Sequence, residues 1–150
     1  MSEHGLTTIP SAFSVRETID RLERIATARG LRVFARLDHA AGAAQVGLAL
    51  RPTELILFGH PRGGTPLMQE RQTAGLDLPL KALVWEDAEG HVWLTSNEVG
   101  WLAQRHGLTA QSSAAVAALD AGQGALTPSR MIFHTYLQLA WQESMMTAPS

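Results

Sequence analysis

The chain of 150 residues is 45% hydrophobic and 17% charged, which is the composition of one globular domain with a sizeable core. Twelve basic and fourteen acidic residues give a net charge of −2, so no positive excess is available to hold a nucleic-acid backbone. The absence of cysteine excludes disulfides, thiolate metal sites and cysteine nucleophiles.

The N-terminus has no basic region followed by an apolar run, so it does not resemble a signal peptide. No segment approaches the roughly 20 apolar residues of a membrane span. We therefore expect a soluble cytoplasmic protein that contacts neither membranes nor nucleic acids.

The first elements are a short strand and an amphipathic helix. Residues 6–9 favour a strand that Pro10 ends. Ser14 followed by Glu17 forms a capping box, and Gly30 supplies the left-handed residue that closes the helix. The apolar positions recur at helical spacing: Val15, Ile19, Leu22 and Ala26. This helix is expected to lie on a sheet.

Residues 31–37 alternate between apolar side chains and Arg32, Phe34 and Arg36, which predicts a half-buried strand. Asp38 then caps a short helix over residues 40–46. Residues 55–58 form an unbroken apolar run, which predicts a strand covered on both faces. Glycine and proline residues break this run, and Thr65–Pro66 predicts the start of a second short helix.

The second half begins with a loop at residues 72–79 and a hairpin over residues 81–95, with its turn at 87–90. Its two tryptophans, Trp85 and Trp93, are expected to pair across the strands. Asn97 predicts the cap of a helix over residues 98–106. The order of elements favours an α+β fold with a mostly antiparallel, curved sheet packed against helices.

We divide the chain into an α+β domain at residues 1–108 and a helical C-terminal extension at 109–150. The extension contains an alanine-rich helix that ends near Gly122 and a second helix over residues 128–145, which is apolar on most sides. Such a helix packs either on the same domain or on a partner subunit.

The segment from Gly59 to Thr65 imitates a phosphate-binding loop in its spacing, but the required lysine is missing and Pro61 removes a backbone donor. Either the glycines only turn the chain, or they form an anion-binding nest with the added charge of Arg62. The candidate ligand-binding residues in this segment are Gly59, His60, Arg62, Gly63, Gly64 and Thr65.

Asp38 and His39 form the second candidate. A carboxylate beside an imidazole suits proton transfer or ligation, whereas helix capping by Asp38 is the structural alternative. His39 and His60 meet only if both strand ends lie at one edge of the sheet. No two of the six histidines stand at i,i+4, so no metal site is predicted.

Several segments from about Phe13 to Leu108 resemble the domain-of-unknown-function 302 family. The residues that carry the resemblance include Asp38-His39-Ala40, Arg51-Pro52-Thr53-Glu54-Leu55, Phe58-Gly59 and Gly64-Thr65-Pro66-Leu67-Met68. The resemblance implies an α+β fold grouped with TATA-binding-protein-like folds, and pairing of subunits as a dimer. It implies no established activity, cofactor or catalytic residue, and it does not extend to residues 123–150.

We expect a homodimeric domain that binds a small molecule or anion, without a cofactor, in a pocket near Asp38, His39 and the turn from Gly59 to Thr65. One alternative is an enzyme that uses His39 as the acid–base group, with an anion site at Arg62–Thr65. The other alternative is a purely structural or oligomerisation protein.

Overall fold

A computed structural model describes residues 4–126. Its centre is an open five-stranded antiparallel sheet in the order β1-β5-β4-β3-β2. The strands are β1 (Leu6–Ser11), β2 (Arg32–Asp38), β3 (Thr53–Gly59), β4 (Leu80–Glu86) and β5 (Val92–Asn97). The predicted α+β fold with an antiparallel sheet is confirmed.

Five α-helices accompany the sheet in the described part of the chain, together with short 3-10 helices at Gln72–Leu76 and Ala110–Ser112. The helices are α1 (Val15–Ala28), α2 (His39–Gln45), α3 (Pro61–Glu70), α4 (Val99–Arg105) and α5 (Ser113–Leu126). The predicted helix over residues 128–145 lies outside the described residues.

The core lies between one face of the sheet and α1. Its most deeply buried side chains are Ile19 from α1, Ile56 from β3, Val84 from β4, Leu94 from β5 and Val99 from α4. These residues come from the apolar positions of each element, and their burial removes apolar surface from water, which stabilises the fold.

The caps follow the sequence signals closely. Ser14 Oγ accepts a hydrogen bond from Glu17 N, and Asp38 Oδ1 accepts one from Ala41 N, as the capping patterns predict. Gly30 and Gly47 have φ angles of 75° and 76°, in the left-handed region that glycine tolerates. At α4 the cap is Glu98 rather than the predicted Asn97.

Two strand predictions are wrong in detail. Pro10 lies inside β1 instead of ending it, because β1 is an edge strand and its outer N–H groups need no partner strand. The alternation of β2 is broken by a bulge between Val33 and Ala35. Beyond the bulge Arg36 reaches α1, while Leu37 is 46% exposed.

The predicted double cover of β3 is also wrong. Glu54, Ile56 and Phe58 are buried on the face toward α1, whereas Leu55 and Leu57 are only half-buried on the opposite face. The tryptophan pair of the hairpin forms as expected, since the ring centroids of Trp85 and Trp93 are 6.4 Å apart.

The alanine-rich helix α5 packs against α3 and α4. The buried side-chain amide of Gln123 donates hydrogen bonds to Ser96 Oγ at 3.2 Å and to the carbonyl of Asn97 at 2.8 Å. These bonds attach α5 to the end of β5. Across residues 4–126, no helix combines the length and the hydropathy that crossing a bilayer requires.

Candidate functional site

The fold separates the predicted site residues into two groups. Asp38 ends β2 and His39 begins α2, whereas the other six residues lie where β3 ends and α3 begins. Asp38 pairs with Glu54 near the start of β3, and Gly59 pairs with Arg32 at the opposite end of the same two strands. At about 3.3 Å per strand residue, the two groups are roughly 17 Å apart.

The predicted single pocket is therefore wrong. In an antiparallel pair the end of one strand lies beside the start of the next. His39 follows the end of β2 and His60 follows the end of β3, so the two histidines lie at opposite ends of this strand pair. For the same reason His39 cannot serve as the acid–base group of an anion site at Arg62–Thr65 within one chain.

The start of α3 also differs from its prediction. The helix begins at Pro61, five residues before the predicted first helical residue Pro66, because His60 acts as the N-cap and its Nδ1 accepts a hydrogen bond from Arg62 N at 3.1 Å. The amides of Gly63 and Gly64 donate to the carbonyl of His60 inside the helix. The anion nest, one of the two alternatives for these glycines, is consequently not formed, and the glycines do not simply turn the chain either, because both lie inside α3.

Beside the start of α3 the structure has a cavity of about 250 Å³, which we call the α3 cavity. Four of the predicted residues line it: Gly59, His60, Gly64 and Thr65. The remaining walls are mostly apolar and come from Phe34, Pro61, Met68, Leu78, Pro79, Leu80 and Leu119. The peptide bond between Leu78 and Pro79 is cis.

The glycines around this cavity have two different roles. A Cβ atom on Gly59 would make ordinary contacts with Pro79 and Phe34, at 3.8 and 3.9 Å, so glycine here leaves space in the cavity. A Cβ atom on Gly63 would stand 2.9 Å from Leu119 Cδ2. Gly63 therefore permits the close approach of α5 to α3.

Three basic residues lie near the α3 cavity. Of the described residues that line it, none is acidic. Arg32 pairs with Gly59 across the strands, Lys81 Nζ donates to the carbonyl of Pro79 at 3.1 Å, and Arg62 lies in the first turn of α3. The positive end of the helix dipole adds to this potential.

The opposite end of the sheet holds an ion-pair cluster. Arg16 Nη2 lies 3.0 Å from Asp38 Oδ2 and 3.1 Å from Glu54 Oε1. The Glu54 side chain is only 7% exposed, so Arg16 compensates a buried carboxylate. Asp38 has the capping role that the sequence suggested, and its carboxylate also contacts Arg16. Neither Asp38 nor His39 lines the α3 cavity.

A buried polar group that sequence reasoning missed lies between α4 and the 3-10 helix Gln72–Leu76. His106 Nε2 is 2.5 Å from Asp77 Oδ2, and its Nδ1 is 3.1 Å from Thr73 Oγ1. Asp77 also accepts from Arg105 Nη1 at 3.1 Å. Thr73 and Asp77 are separated from Arg105 and His106 by 28 to 33 residues, so no local motif predicts the contact.

This His–Asp–Thr arrangement resembles an acid–base relay, but the cavity beside His106 has a volume of only about 10 Å³. No substrate fits there. We interpret the group as a clamp that fixes the loop leading to Leu78 and Pro79, two walls of the α3 cavity.

One cluster among residues 4–126 has the residue types of a metal site: Asp87, Glu89 and His91, with ligand atoms within 4.8 Å of one another. Asp87 already accepts hydrogen bonds from the backbone of Glu89 and His91 and from Trp93 Nε1. These bonds, led by that from Trp93, hold the pKa of the Asp87 carboxyl below its ordinary value. These hydrogen bonds stabilise the turn between β4 and β5, and this role accounts for the proximity of the three side chains.

Comparison with known proteins identifies the family. Residues 7–125 match the family described as domain of unknown function DUF302. The chain belongs to this family. The match confirms the resemblance seen in the sequence and extends it beyond Leu108 into α5.

The curated relatives of this DUF302 chain carry the name of a channel. This chain is 53% identical over 125 residues to the Fluoride-specific ion channel FluC 1 of Brucella suis biovar 1, and the match covers 83% of this chain and 49% of that protein. The proteins of the same FluC series from Brucella abortus and Brucella melitensis are also 53% identical, with 46% of each covered. The chain spans about half the length of these relatives.

A solved structure supports the fold. The crystal structure of an uncharacterized conserved DUF302 protein from Bacillus stearothermophilus superposes with a TM-score of 0.70 at 19% identity. The alignment covers 82% of this chain and 93% of that one. At this identity the likeness establishes the shared DUF302 fold alone. Subunit pairing, cytoplasmic location and the expected lack of a cofactor stay predictions.

Proposed function

We propose that this DUF302 domain binds a small organic anion, with a compact apolar body and a carboxylate-like end, in the α3 cavity. The observation that carries the proposal is the cavity itself, because Gly59, His60, Gly64 and Thr65 line one partly open cavity together with apolar side chains.

The size and lining of the cavity support a compact apolar body. Binding pockets for drug-sized molecules are typically about 300–1,000 Å³, so a cavity of about 250 Å³ suits a smaller ligand. Side chains such as Phe34, Met68 and Leu78 would remove its apolar atoms from water.

The donors support a negatively charged end. His60 Nδ1 accepts the hydrogen bond from Arg62 N, so in the neutral ring the proton sits on Nε2, which becomes a donor. Thr65 contributes a second donor, its hydroxyl, to the lining. The charges of Arg32, Arg62 and Lys81 add long-range attraction for an anion.

The test is a thermal-shift and isothermal titration series with benzoate, butyrate, benzamide, phosphate and fluoride. We expect benzoate or butyrate to raise the melting temperature and the neutral benzamide to have a much smaller effect. The His60→Asn variant should weaken carboxylate binding, because asparagine retains the helix cap but not the imidazole Nε2 donor.

His39→Asn is the matched control, because it makes the same substitution at the opposite end of the sheet. It should leave binding unchanged. The proposal fails if no carboxylate binds in a saturable way, or if both variants change the affinity equally.

A second candidate function follows from the curated relatives, which are called fluoride-specific ion channels. The matched segment contains no membrane-spanning helix in its described residues. We propose as the alternative that the domain senses fluoride for such a channel, with the anion held at His60 and Thr65. Saturable binding of fluoride but of neither carboxylate would favour this alternative over the organic anion.

A further inference from the structure

We propose that two copies of this chain associate through the face of the sheet that points away from α1. Along β3, β4 and β5 the burial of side chains alternates, so that Ile56, Val84 and Leu94 are buried toward α1 while the positions between them are only half-buried on the opposite side. The strand register places these positions on one surface with the matching positions of β1 and β2, and we call this surface the open face. Its members are Leu6, Thr8 and Pro10 of β1, Ala35 and Leu37 of β2, Thr53, Leu55 and Leu57 of β3, Lys81, Leu83 and Trp85 of β4, and Trp93, Thr95 and Asn97 of β5.

The open face is apolar and nearly free of charge. Of its strand positions only Lys81 carries a charge, although 17% of the whole chain is charged. Leu83 lies at its centre, on the middle strand of the sheet, and the rings of Trp85 and Trp93 pack together beside it. At the outer strand Leu37 is 46% exposed. Removal of such a surface from water is favourable.

The polar groups of the open face already have partners within the chain. Trp85 Nε1 donates to Thr95 Oγ1 at 2.9 Å, and the hydroxyls of Thr95 and Thr8 are hydrogen-bonded at 2.9 Å. Trp93 Nε1 donates to a carboxylate oxygen of the hairpin turn, and Lys81 Nζ donates to a backbone carbonyl. The face can therefore be covered without leaving these donors unsatisfied, which is the requirement for a dry contact.

The charge pattern favours a second copy as the occupant. In a two-fold contact the same patch meets itself, so a patch with several charges of one sign would repel its copy. The open face avoids this repulsion because it carries one cation, two residues from Leu83 on β4. With the two-fold axis across the strands at Leu83, Lys81 of one copy lies against Trp85 of the other, and the indole attracts the ammonium group. Aligned sheets pack face to face in this way at about 10 Å.

The size of the open face suits a stable dimer. Five strands about 4.8 Å apart and about 20 Å long give a flat area of roughly 480 Å² before the relief of the side chains is counted. Between Leu37 and Thr53 the chain adds Val46, Leu48 and Leu50, which are 71%, 67% and 49% exposed, and residues 39–50 contain no charged side chain. Monomers ordinarily expose apolar patches of about 300–600 Å² at most, whereas stable interfaces bury about 800 Å² on each partner.

The test is sedimentation velocity of the full chain over a range of concentrations. We expect the unmodified protein to be a dimer at micromolar concentration. Leu83→Arg should raise the dissociation constant of the dimer by about tenfold or more, because it sets two like charges against each other in a desolvated contact. Leu37→Arg should act in the same direction from an exposed position, where the fold tolerates the new side chain. Circular dichroism verifies that both variants are folded.

Leu76→Arg is the matched control. It makes the same substitution at a leucine that is 73% exposed in the 3-10 helix Gln72–Leu76, outside the open face. It should change the dissociation constant by less than about twofold. A monomeric unmodified protein overturns the proposal and leaves the open face to residues 127–150 or to a different protein. A dimer that Leu83→Arg and Leu37→Arg weaken no more than Leu76→Arg overturns it as well, because the copies would then meet elsewhere.

Discussion

Leu119 Cδ2 lies 2.9 Å from the point where a Cβ atom on Gly63 would stand. Gly63 belongs to the segment that imitates a phosphate-binding loop, yet its amide is committed to the carbonyl of His60. Its lack of a side chain leaves room for the Leu119 side chain of α5. The same leucine lines the α3 cavity, so this contact also shapes the proposed site.

Replacement of Gly63 tests this contact. Alanine in a helix is favoured over glycine by roughly 0.5–1 kcal/mol, whereas a new methyl group in a packed region costs about 1–3 kcal/mol. The helix preference is common to both variants, so Gly63→Ala should be less stable than Gly42→Ala by about 1–3 kcal/mol, because Gly42 in α2 has nothing within 4 Å of its Cβ position. Urea unfolding measures the difference, and equal stabilities would refute the role given to Gly63.

The contact between His106 and Asp77 gives a second prediction, which concerns stability. The two side chains are only 6% and 15% exposed, so removing the carboxylate leaves a buried imidazole without its partner. Asp77→Ala should reduce the free energy of unfolding by about 1–3 kcal/mol and should also weaken ligand binding in the α3 cavity. Asp120→Ala, at an exposed position on α5, should change stability by less than about 0.5 kcal/mol. An Asp77→Ala variant as stable as Asp120→Ala would show that no clamp exists.

The carboxylate of Glu70 gives a prediction about pH. Hydrogen bonds donated by Ser112 Oγ and by the hydroxyl and amide of Thr109 hold the pKa of Glu70 below its ordinary value. Because the folded pKa is the lower one, this stabilisation is complete above the unfolded pKa and is lost as the pH falls through the folded pKa.

The measurement is the stability of the unmodified protein and of Glu70→Gln from neutral to acidic pH. The difference should be constant near neutral pH and should shrink below about pH 4.3, the ordinary glutamate value. A difference that stays the same throughout would mean that charged Glu70 contributes nothing to the attachment of α3 to the segment before α5.

The ion pair between Arg16 and Glu54 yields a fourth prediction. Arg16→Met retains much of the side-chain volume but leaves the buried Glu54 carboxylate without that cation, at a cost of about 1–3 kcal/mol. Arg24→Met, on an exposed part of α1, should change stability by less than about 0.5 kcal/mol. Double substitution of Arg16→Met with Glu54→Gln should restore part of the lost stability. A double variant no more stable than Arg16→Met would show that the two side chains do not stabilise each other.

The elements that sequence reasoning predicted correctly are those specified by neighbouring residues. The cap at Ser14, the cap at Asp38 and the closing residue Gly30 each depend on a signal within a few positions. The order of short strands and helices was sufficient to predict an antiparallel α+β fold.

The errors arose where a distant part of the chain decides the outcome. The pairing of β2 with β3 places His39 and His60 at opposite ends of the two strands, and nothing in either segment alone specifies that pairing. The bulge after Val33 reverses which side chains of β2 face α1. His60 became a helix cap through its own Nδ1, a role that the more familiar Thr65–Pro66 pattern obscured.

The most direct test of the proposed function is the calorimetric affinity of benzoate for the unmodified protein, Gly59→Ala and Gly42→Ala. A methyl group at Gly59 would enter the α3 cavity at ordinary contact distances, whereas one at Gly42 meets open space. We predict about tenfold or greater weakening for Gly59→Ala, which corresponds to roughly 1.4 kcal/mol, and no change for Gly42→Ala. Unchanged affinity in Gly59→Ala would contradict the assignment of the ligand to this cavity.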